Sequence, residues 1–378
     1  MAYSERQSYR VRRHRRRSGL RRWLFLGGGV LALVVLVFLF LLLFTNVFQA
    51  PPQFLALPVS PGTKVLEQDG CLYYLTGTTL NCTDKKGETL WTTKFSAGQQ
   101  DLAVSSKLIC LYNESSATVI DTQKNPLFTV PQSDFQIIDV VCGNSSLAML
   151  CKIDENGTAH EYIRIFDTSG AEINRVDLKT SEALKFGFSG GGDNLWYLTL
   201  DTSGVYPISQ ITTLVPMQNS LTGLYSIYDE LVSDVRFLGT EMYVAGTTYL
   251  ASYDTIQQTK TEDTLIYGTK CVAVCESGDD ILFAFAPRST SDGSEYTVRL
   301  LSKSGVDTLL QLPDGILHFA LSRNYVYCYS ADTVYVYKTS GEFVKTIPLD
   351  FTLTGVTPLT DSTVLLRTET ALYVMNLD

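Results

Sequence analysis

The chain has 378 residues and a formal net charge of −9, which is long enough for one large or two ordinary domains. The charge is unevenly divided: residues 1–22 carry nine arginines and one glutamate, whereas the rest of the chain carries 21 basic and 38 acidic residues. Such an acidic body is not expected of a nucleic-acid-binding protein, so nucleic acid is excluded as a partner.

Residues 23–45 are predicted to form a transmembrane helix. The 22 residues from Trp23 to Phe44 contain no charge, and a helix of that length is roughly 33 Å long, enough to cross a bilayer core. A cleavable signal peptide fits less well, because the apolar segment is too long and Phe48 stands where a small residue is needed. A twin-arginine export signal is a further alternative.

The arginines before this segment predict its orientation. No comparable basic cluster follows the segment, so the positive-inside rule predicts a single-pass plasma-membrane protein with a cytoplasmic N-terminus. We expect the tail to bind anionic lipid, at roughly 1 kcal/mol per arginine near the surface. Docking to a cytoplasmic partner is the alternative. The lipid-facing arginines are Arg12, Arg13, Arg15, Arg16, Arg17, Arg21 and Arg22.

The outer part of the chain is predicted to be all-β. A linker at residues 46–52 separates the membrane segment from an extracellular domain at residues 53–378. That domain consists of short runs rich in Val, Ile, Tyr, Phe and Thr, broken by Gly, Asn, Asp and Ser. Many short strands at even spacing, without an amphipathic helix of ten or more residues, are typical of an all-β domain.

A turn sequence recurs along this domain. Its glycine, asparagine or glutamine positions fall near 87, 125, 170, 257, 305 and 341, and a diverged copy near 213 would fill the double interval. A period of about 40–45 residues with four strands in each repeat is typical of β-propeller blades. Such sheets are expected to form a ring, because one four-stranded sheet cannot cover both of its own faces.

The two ends of the domain predict the number of blades. The last strands are expected at 353–356, 363–367 and 371–375, which leaves the final blade without a fourth strand. Residues 53–59 form an unassigned apolar run that could supply this strand and close a ring of eight blades. A seven-bladed ring, with residues 170–257 forming one irregular blade, is the alternative.

Residues 65–91 resemble a blade of the quinoprotein-like (PQQ-type) propellers. Asp69-Gly70 ends a strand, a hairpin returns, and Gly87-Glu-Thr-Leu-Trp91 closes the unit. The order of Arg-rich tail, one span and divergent WD-like propeller is also similar to uncharacterised membrane proteins of Firmicutes. This resemblance implies a Gram-positive cell envelope and no known activity. We expect no cofactor, because the quinoprotein-like match is confined to one blade.

The eight cysteines allow one specific pairing. Cys71 and Cys82 are predicted to face each other across a hairpin with Thr76-Gly77 as its turn. This would place their Cα atoms about 5.5 Å apart, a separation at which a disulfide is possible. The other cysteines lie in apolar runs and are interpreted mainly as buried small side chains.

No residues form a recognisable catalytic set, and the three histidines are isolated. Tyr225, Tyr228, Tyr249 and Tyr253 are the candidate binding face. We therefore predict a membrane-anchored module of the cell envelope that binds a protein or a glycan. The first alternative is an enzyme, either a glycan hydrolase or lyase or a quinone-dependent one, which would require carboxylates with Arg or Trp at the channel mouth. The second is a ligand sensor.

Overall fold

The computed structural model describes residues 54–377, apart from 96, 97, 99, 132–134, 156–157, 179–180, 190, 229 and 289–294. The Arg-rich tail, the predicted membrane span and the linker lie outside the described residues. Within the described part, no helix is long and apolar enough to cross a membrane. Gln53–Asp378 forms a compact unit of its own.

The described residues form 32 strands in eight four-stranded sheets. In the first half they are β1 (Phe54–Leu57), β2 (Val65–Gln68), β3 (Cys71–Thr76), β4 (Thr79–Asp84), β5 (Thr89–Lys94), β6 (Asp101–Val104), β7 (Leu108–Tyr112), β8 (Ala117–Asp121), β9 (Pro126–Val130), β10 (Gln136–Cys142), β11 (Ser146–Glu155), β12 (Thr158–Asp167), β13 (Glu172–Asp177), β14 (Glu182–Ser189), β15 (Asn194–Asp201) and β16 (Ile208–Val215). In the second half they are β17 (Ser220–Tyr228), β18 (Asp234–Leu238), β19 (Glu241–Ala245), β20 (Tyr249–Asp254), β21 (Thr259–Leu265), β22 (Thr269–Ser277), β23 (Asp280–Pro287), β24 (Glu295–Ser302), β25 (Asp307–Ile316), β26 (His318–Leu321), β27 (Tyr325–Tyr329), β28 (Thr333–Lys338), β29 (Phe343–Pro348), β30 (Gly355–Thr360), β31 (Thr363–Arg367) and β32 (Leu372–Asn376).

Each sheet is built from four consecutive strands, with one exception. Sheets 1 to 7 are β2–β5, β6–β9, β10–β13, β14–β17, β18–β21, β22–β25 and β26–β29. Sheet 8 has the order β1-β32-β31-β30, so that it combines the first strand of the domain with the last three. The neighbouring strands that pair within each sheet are antiparallel.

The recurring turn joins the third and fourth strands of a sheet. In several copies an aspartate carboxylate accepts backbone N–H bonds within the turn, as Asp84 Oδ1 does from Lys86 and Glu88. A residue at positive φ then completes the turn, for example Gly87 at 87°, a conformation that glycine adopts at no steric cost. The diverged copy lies between β16 and β17, where a 3-10 turn at Pro216–Gln218 precedes Asn219 at φ 47°. This copy belongs to its own four-stranded sheet, so the eight-bladed prediction is confirmed.

β1 closes the ring, as the sequence predicted. It pairs antiparallel with β32, with Phe54 opposite Met375 and Leu57 opposite Leu372. The strand expected at 353–356 begins instead at Gly355, and it continues to Thr360 through an irregularity in its register. Sheet closure leaves no long unpaired edge at the point where the two ends of the domain meet.

Eight clusters of buried side chains fill the spaces between neighbouring sheets among the described residues. Each cluster draws residues from two adjacent sheets, so every sheet is covered on both faces by its neighbours. The cluster between sheets 8 and 1 completes the ring. Its buried members are Leu57, Val65, Leu72, Tyr74, Leu365, Leu372 and Val374.

A partly buried polar network spans the same closing seam. Lys85 Nζ lies 2.6 Å from Glu67 Oε1 and donates to Ser362 Oγ at 3.1 Å. Thr360 Oγ1 donates to the other carboxylate oxygen of Glu67 at 3.2 Å. Sheets 1 and 8 are therefore joined by directional bonds in addition to apolar packing.

The predicted register of the first cysteine hairpin is wrong. Its turn is Gly77-Thr78, with Gly77 at φ 59°, because glycine is preferred at the first central position of a type II′ turn. Cys82 consequently lies opposite Tyr73 and not opposite Cys71. Both thiols are free in the structure.

The closure can be tested by a matched pair of substitutions in β1. Leu57 is 6% exposed, whereas Ala56 is exposed on the opposite face. Leu57→Asp would place an unpaired charge in the core between sheets 8 and 1, at a cost of about 3 kcal/mol or more. We expect a large fall in the melting temperature for Leu57→Asp and almost none for Ala56→Asp. Equal effects of the two substitutions would contradict the closure.

The contact between sheets 2 and 3 gives a second test. A Cβ added to Gly170 would lie 2.8 Å from the Phe128 side chain, whereas one added to Gly305 meets nothing within 4 Å. Both glycines occupy the same turn position at positive φ, so each change to alanine carries a backbone cost of about 1–2 kcal/mol. Only Gly170→Ala also overpacks a sheet contact, at about 1–3 kcal/mol more. Chemical denaturation should therefore rank Gly170→Ala as less stable than Gly305→Ala, and the reverse order would refute this packing.

Candidate functional site

An open groove lies at the seam between sheets 4 and 5. We call it the seam groove, and its cavity volume is about 380 Å³. β17, the connection that follows it, and the β19–β20 turn contribute most of its lining. The floor is apolar, formed by Val232, Val244 and Ala251. Because blades meet here only through their side chains, the end of the seam is a natural position for a surface cleft.

Three of the four candidate tyrosines line this groove, namely Tyr228, Tyr249 and Tyr253. Tyr228 is 65% exposed and Tyr249 is 41% exposed, so both rings offer a face to a partner. Tyr253 is half-buried between them and the core. The structure thus brings together tyrosine side chains from two different sheets. Tyr228 and Tyr249 are about 20 residues apart in the sequence.

Tyr225 does not belong to the binding face, which corrects the prediction for this residue. It is 5% exposed and packs edge-on against Tyr253, with ring centroids 5.4 Å apart. The cause is the alternation of β17, which turns Leu224 and Ser226 outward and Tyr225 toward sheet 5. Burial raises the pKa of Tyr225, so its phenol stays neutral beneath the groove.

Glu230 fixes one wall of the groove. Its Oε2 accepts bonds from the backbone N–H of Thr247 at 2.6 Å and of Thr248 at 3.0 Å, and from the Thr247 hydroxyl at 3.0 Å. A Cβ at Gly246 would lie 2.2 Å from this oxygen. The absence of a side chain at position 246 therefore allows the carboxylate to hold the β19–β20 turn.

Lys260 brings a positive charge to the groove, but that charge is paired. Its ammonium forms an ion pair with Asp263 and lies 5.5 Å from the centroid of the Tyr249 ring. The hydrogen bond to Asp263 raises the pKa of Lys260. The ionic groups of the groove are thus paired with other groups in its walls. The accessible surface of the groove is mainly aromatic and aliphatic.

Further exposed apolar side chains lie at the same end of sheets 4 and 5. Tyr206 lies two residues before Ile208, which pairs with Tyr228. Tyr267 lies two residues after Leu265, which pairs with Tyr249. Both extra tyrosines are exposed, as is Leu231 in the connection after β17. Exposed apolar patches are typical of interaction sites.

The innermost strands of the sheets enclose a second kind of site, in the central channel. A cavity of about 550 Å³ is lined by strands of sheets 4, 5, 6 and 8, and we call it the charged cavity. Lys185 Nζ and Arg236 Nε bind the two carboxylate oxygens of Asp234, each at 3.0 Å. Arg236 Nη1 lies 3.6 Å from Glu276 Oε1. Carboxylates with an arginine in the channel are the feature that the enzyme alternative requires.

These channel residues were not predicted from the sequence. Each is about one blade away from the next in the sequence, as Lys185, Asp234 and Glu276 show. Their local sequence does not indicate that they share a cavity. The available signal was that each carries a charge on the first strand of a repeat, where the sequence is otherwise mostly apolar. The shared position of these charges can be recognised only after the sequences of the blades have been aligned with one another.

A metal site and a reactive thiol or imidazole are the other kinds of centre that titratable side chains could form in the described part of the chain. No group of three or more His, Cys, Asp and Glu residues is placed there to hold a metal ion. Burial raises the pKa of Cys82 to about 12, so this thiol is protonated at neutral pH. Burial also lowers the pKa of His318, which keeps its imidazole neutral.

The ring of eight four-stranded sheets defines an eight-bladed β-propeller. The chain belongs to DUF5711, a family of unknown function whose model matches residues 62–377. No curated protein sequence matches it.

Solved structures share the fold at low sequence identity. The computationally designed Ika8 protein has 12% identity and a TM-score of 0.57, covering 86% of this chain and 100% of that one. BamB from Moraxella catarrhalis has 10% identity and a TM-score of 0.52, covering 87% and 99%. The WD40 domain of SCAP from fission yeast has 9% identity and a TM-score of 0.57, covering 86% and 98%. These likenesses concern the fold alone.

The wall of the groove can be tested by a double-mutant cycle. Gly246→Ala should displace the Glu230 carboxylate from the β19–β20 turn and destabilise the protein by about 1–3 kcal/mol. In a Glu230→Ala background the same glycine change should cost much less, because the clashing oxygen is absent. A coupling free energy of about 0.5–3 kcal/mol in urea unfolding is the expected result. Strict additivity would refute the proposed contact.

Proposed function

We propose that this protein is a membrane-anchored binding module that holds a protein partner outside the cell through the seam groove. The observation that carries the proposal is the exposure of Tyr228 and Tyr249 beside an apolar floor. Tyrosine supplies a large contact area at a low cost in conformational entropy and is enriched at protein interfaces. A propeller holds such side chains on strands and short turns, so the surface is preorganised.

The chemistry of the groove favours a protein partner over a glycan. A sugar presents many hydroxyl groups, and its recognition needs polar side chains that are available to bind them. Here Glu230 Oε2 already accepts three bonds from the β19–β20 turn, and Lys260 is paired with Asp263. An apolar side chain of a protein segment can enter the groove without breaking these bonds.

The membrane anchor rests on the amino-acid sequence. The uncharged segment at residues 23–45 is long enough to span a bilayer, and the arginines precede it. The positive-inside rule then assigns the propeller to the outer side of the plasma membrane. In this arrangement the tail holds anionic lipid, and the propeller would collect or organise a component of the cell envelope.

An enzyme acting in the channel is the second candidate, because the charged cavity contains carboxylates and an arginine. Glycoside hydrolysis uses two carboxyl groups that face the substrate. Both oxygens of Asp234 are held by cations, however, with Lys185 on one and Arg236 on the other. Asp234 could serve as a catalytic carboxylate only by giving up one of these partners, which leaves Glu276 and Asp361 as the candidate pair. We rank binding first because the exposed tyrosines of the seam groove support it directly.

Site-specific photo-crosslinking tests the proposal in intact cells. A photoreactive phenylalanine analogue is placed at Tyr228 of the full-length chain, with Phe343 as the matched control, an exposed aromatic residue on sheet 7. We expect a protein adduct from position 228 only, and we expect Tyr249→Ala to reduce that adduct at least about tenfold. A glycan adduct at 228 would favour the glycan alternative. The same adducts from both positions would refute a specific groove.

A further inference from the structure

The charged cavity contains one closed and one open ionic contact. In the closed contact, Asp234 is bonded on both oxygens, and Lys185 Nζ also donates to the backbone carbonyl of Ser233 at 2.7 Å. In the open contact, Arg236 Nη1 and Glu276 Oε1 are 3.6 Å apart, beyond hydrogen-bond distance. The closed contact holds Asp234, Lys185 and Arg236 together as part of the structure. In the open contact, Arg236 Nη1 and Glu276 Oε1 do not bond to each other and can each bind a ligand.

The electrostatic environment of Glu276 supports this distinction. Partial burial within the cavity raises the pKa of the carboxyl group, Arg236 only partly opposes this effect, and the nearby charge of Asp234 adds to it. A carboxylate in this position is thus under-compensated, and a nearby ammonium group would stabilise it. The side chains of Glu276 and Arg236 are 41% and 42% exposed, so both are accessible from the cavity.

The two groups together select a particular class of ligand. Arg236 can donate from its terminal nitrogens to a carboxylate, while Glu276 can accept from an ammonium group. A simple anion would meet Arg236 but would also be repelled by Glu276. A simple cation would bind Glu276 but would be repelled by Arg236. A molecule that carries both charges satisfies both groups, and it leaves the Lys185–Asp234 contact intact.

We propose that the charged cavity binds a small zwitterion, an amino acid or short peptide, with its carboxylate on Arg236 and its ammonium group on Glu276. The volume of about 550 Å³ lies within the range of small-molecule pockets, roughly 300–1,000 Å³. Thr360 and Asp361 of sheet 8 form part of the lining and would add polar contacts to a longer ligand. This site is separate from the seam groove, and the proposal does not depend on the partner that binds there.

Isothermal titration of the full-length protein in detergent tests the site. The probes are L-alanine and glycylglycine, with acetate and methylammonium as ligands that carry one charge each. We expect saturable binding of a zwitterion with a dissociation constant of about 1 mM or tighter, and at least tenfold weaker binding of either single-charge ligand. Equal binding of acetate or methylammonium, or no zwitterion binding up to about 10 mM, would overturn the proposal.

Three substitutions locate the binding. Arg236→Gln and Glu276→Gln should each weaken zwitterion binding at least tenfold, because each removes one charge. Arg299→Gln removes an arginine that pairs with Asp307 on the outer strands of sheet 6, and it should leave binding unchanged. Thermal unfolding shows whether each variant is folded. If Arg236→Gln does not fold, Arg236→Lys replaces it, because lysine keeps a positive charge near Asp234. Unchanged affinity in folded variants of both cavity residues would place the ligand elsewhere and overturn the proposal.

Discussion

The fold depends on mutual coverage of neighbouring sheets. A four-stranded blade exposes apolar side chains on two faces, and only another blade on each side can bury both. Seven of the eight contacts follow from the order of the chain, but the contact between sheets 8 and 1 requires the chain ends to meet. β1 makes that possible by completing sheet 8. Lys85 and Glu67 of sheet 1 then bond to Ser362 and Thr360 of sheet 8 across the same seam.

Both candidate sites are consequences of this arrangement. The seam groove lies where sheets 4 and 5 meet near their loop ends, and its tyrosines stand on strands that the cores on either side hold in place. The charged cavity lies where the innermost strands approach one another. The two sites differ in chemistry, since one presents aromatic rings and aliphatic side chains and the other presents ionic groups.

Much of the fold was predictable because its turns have strict local requirements. The turns around Gly87, Gly170, Gly305 and Gly341 all need a positive φ, so glycine recurs there and reveals the period. The closure was predictable for a different reason: the last blade lacked one strand, and the apolar run near residue 54 had no sheet assigned to it.

The candidate site was only partly predictable, because side-chain direction depends on register. Three of the four tyrosines predicted near 225–253 line the seam groove, but the alternation of β17 removes Tyr225 from the surface. A shift of the turn to Gly77-Thr78 likewise changes the partner of Cys82. The charged cavity depends on side chains from strands about 50 residues apart, and no short sequence window contains that information.

The closing pairing can be tested by cutting the chain between β1 and β2. Gly62 lies in this connection, where an added side chain would meet nothing within 4 Å, so a protease site inserted after it should not disturb the fold. After cleavage of the purified full-length protein in detergent, β1 should hold the N-terminal fragment on the propeller through gel filtration, and denaturant should separate the two. Release of the propeller under native conditions would contradict a ring closed by β1.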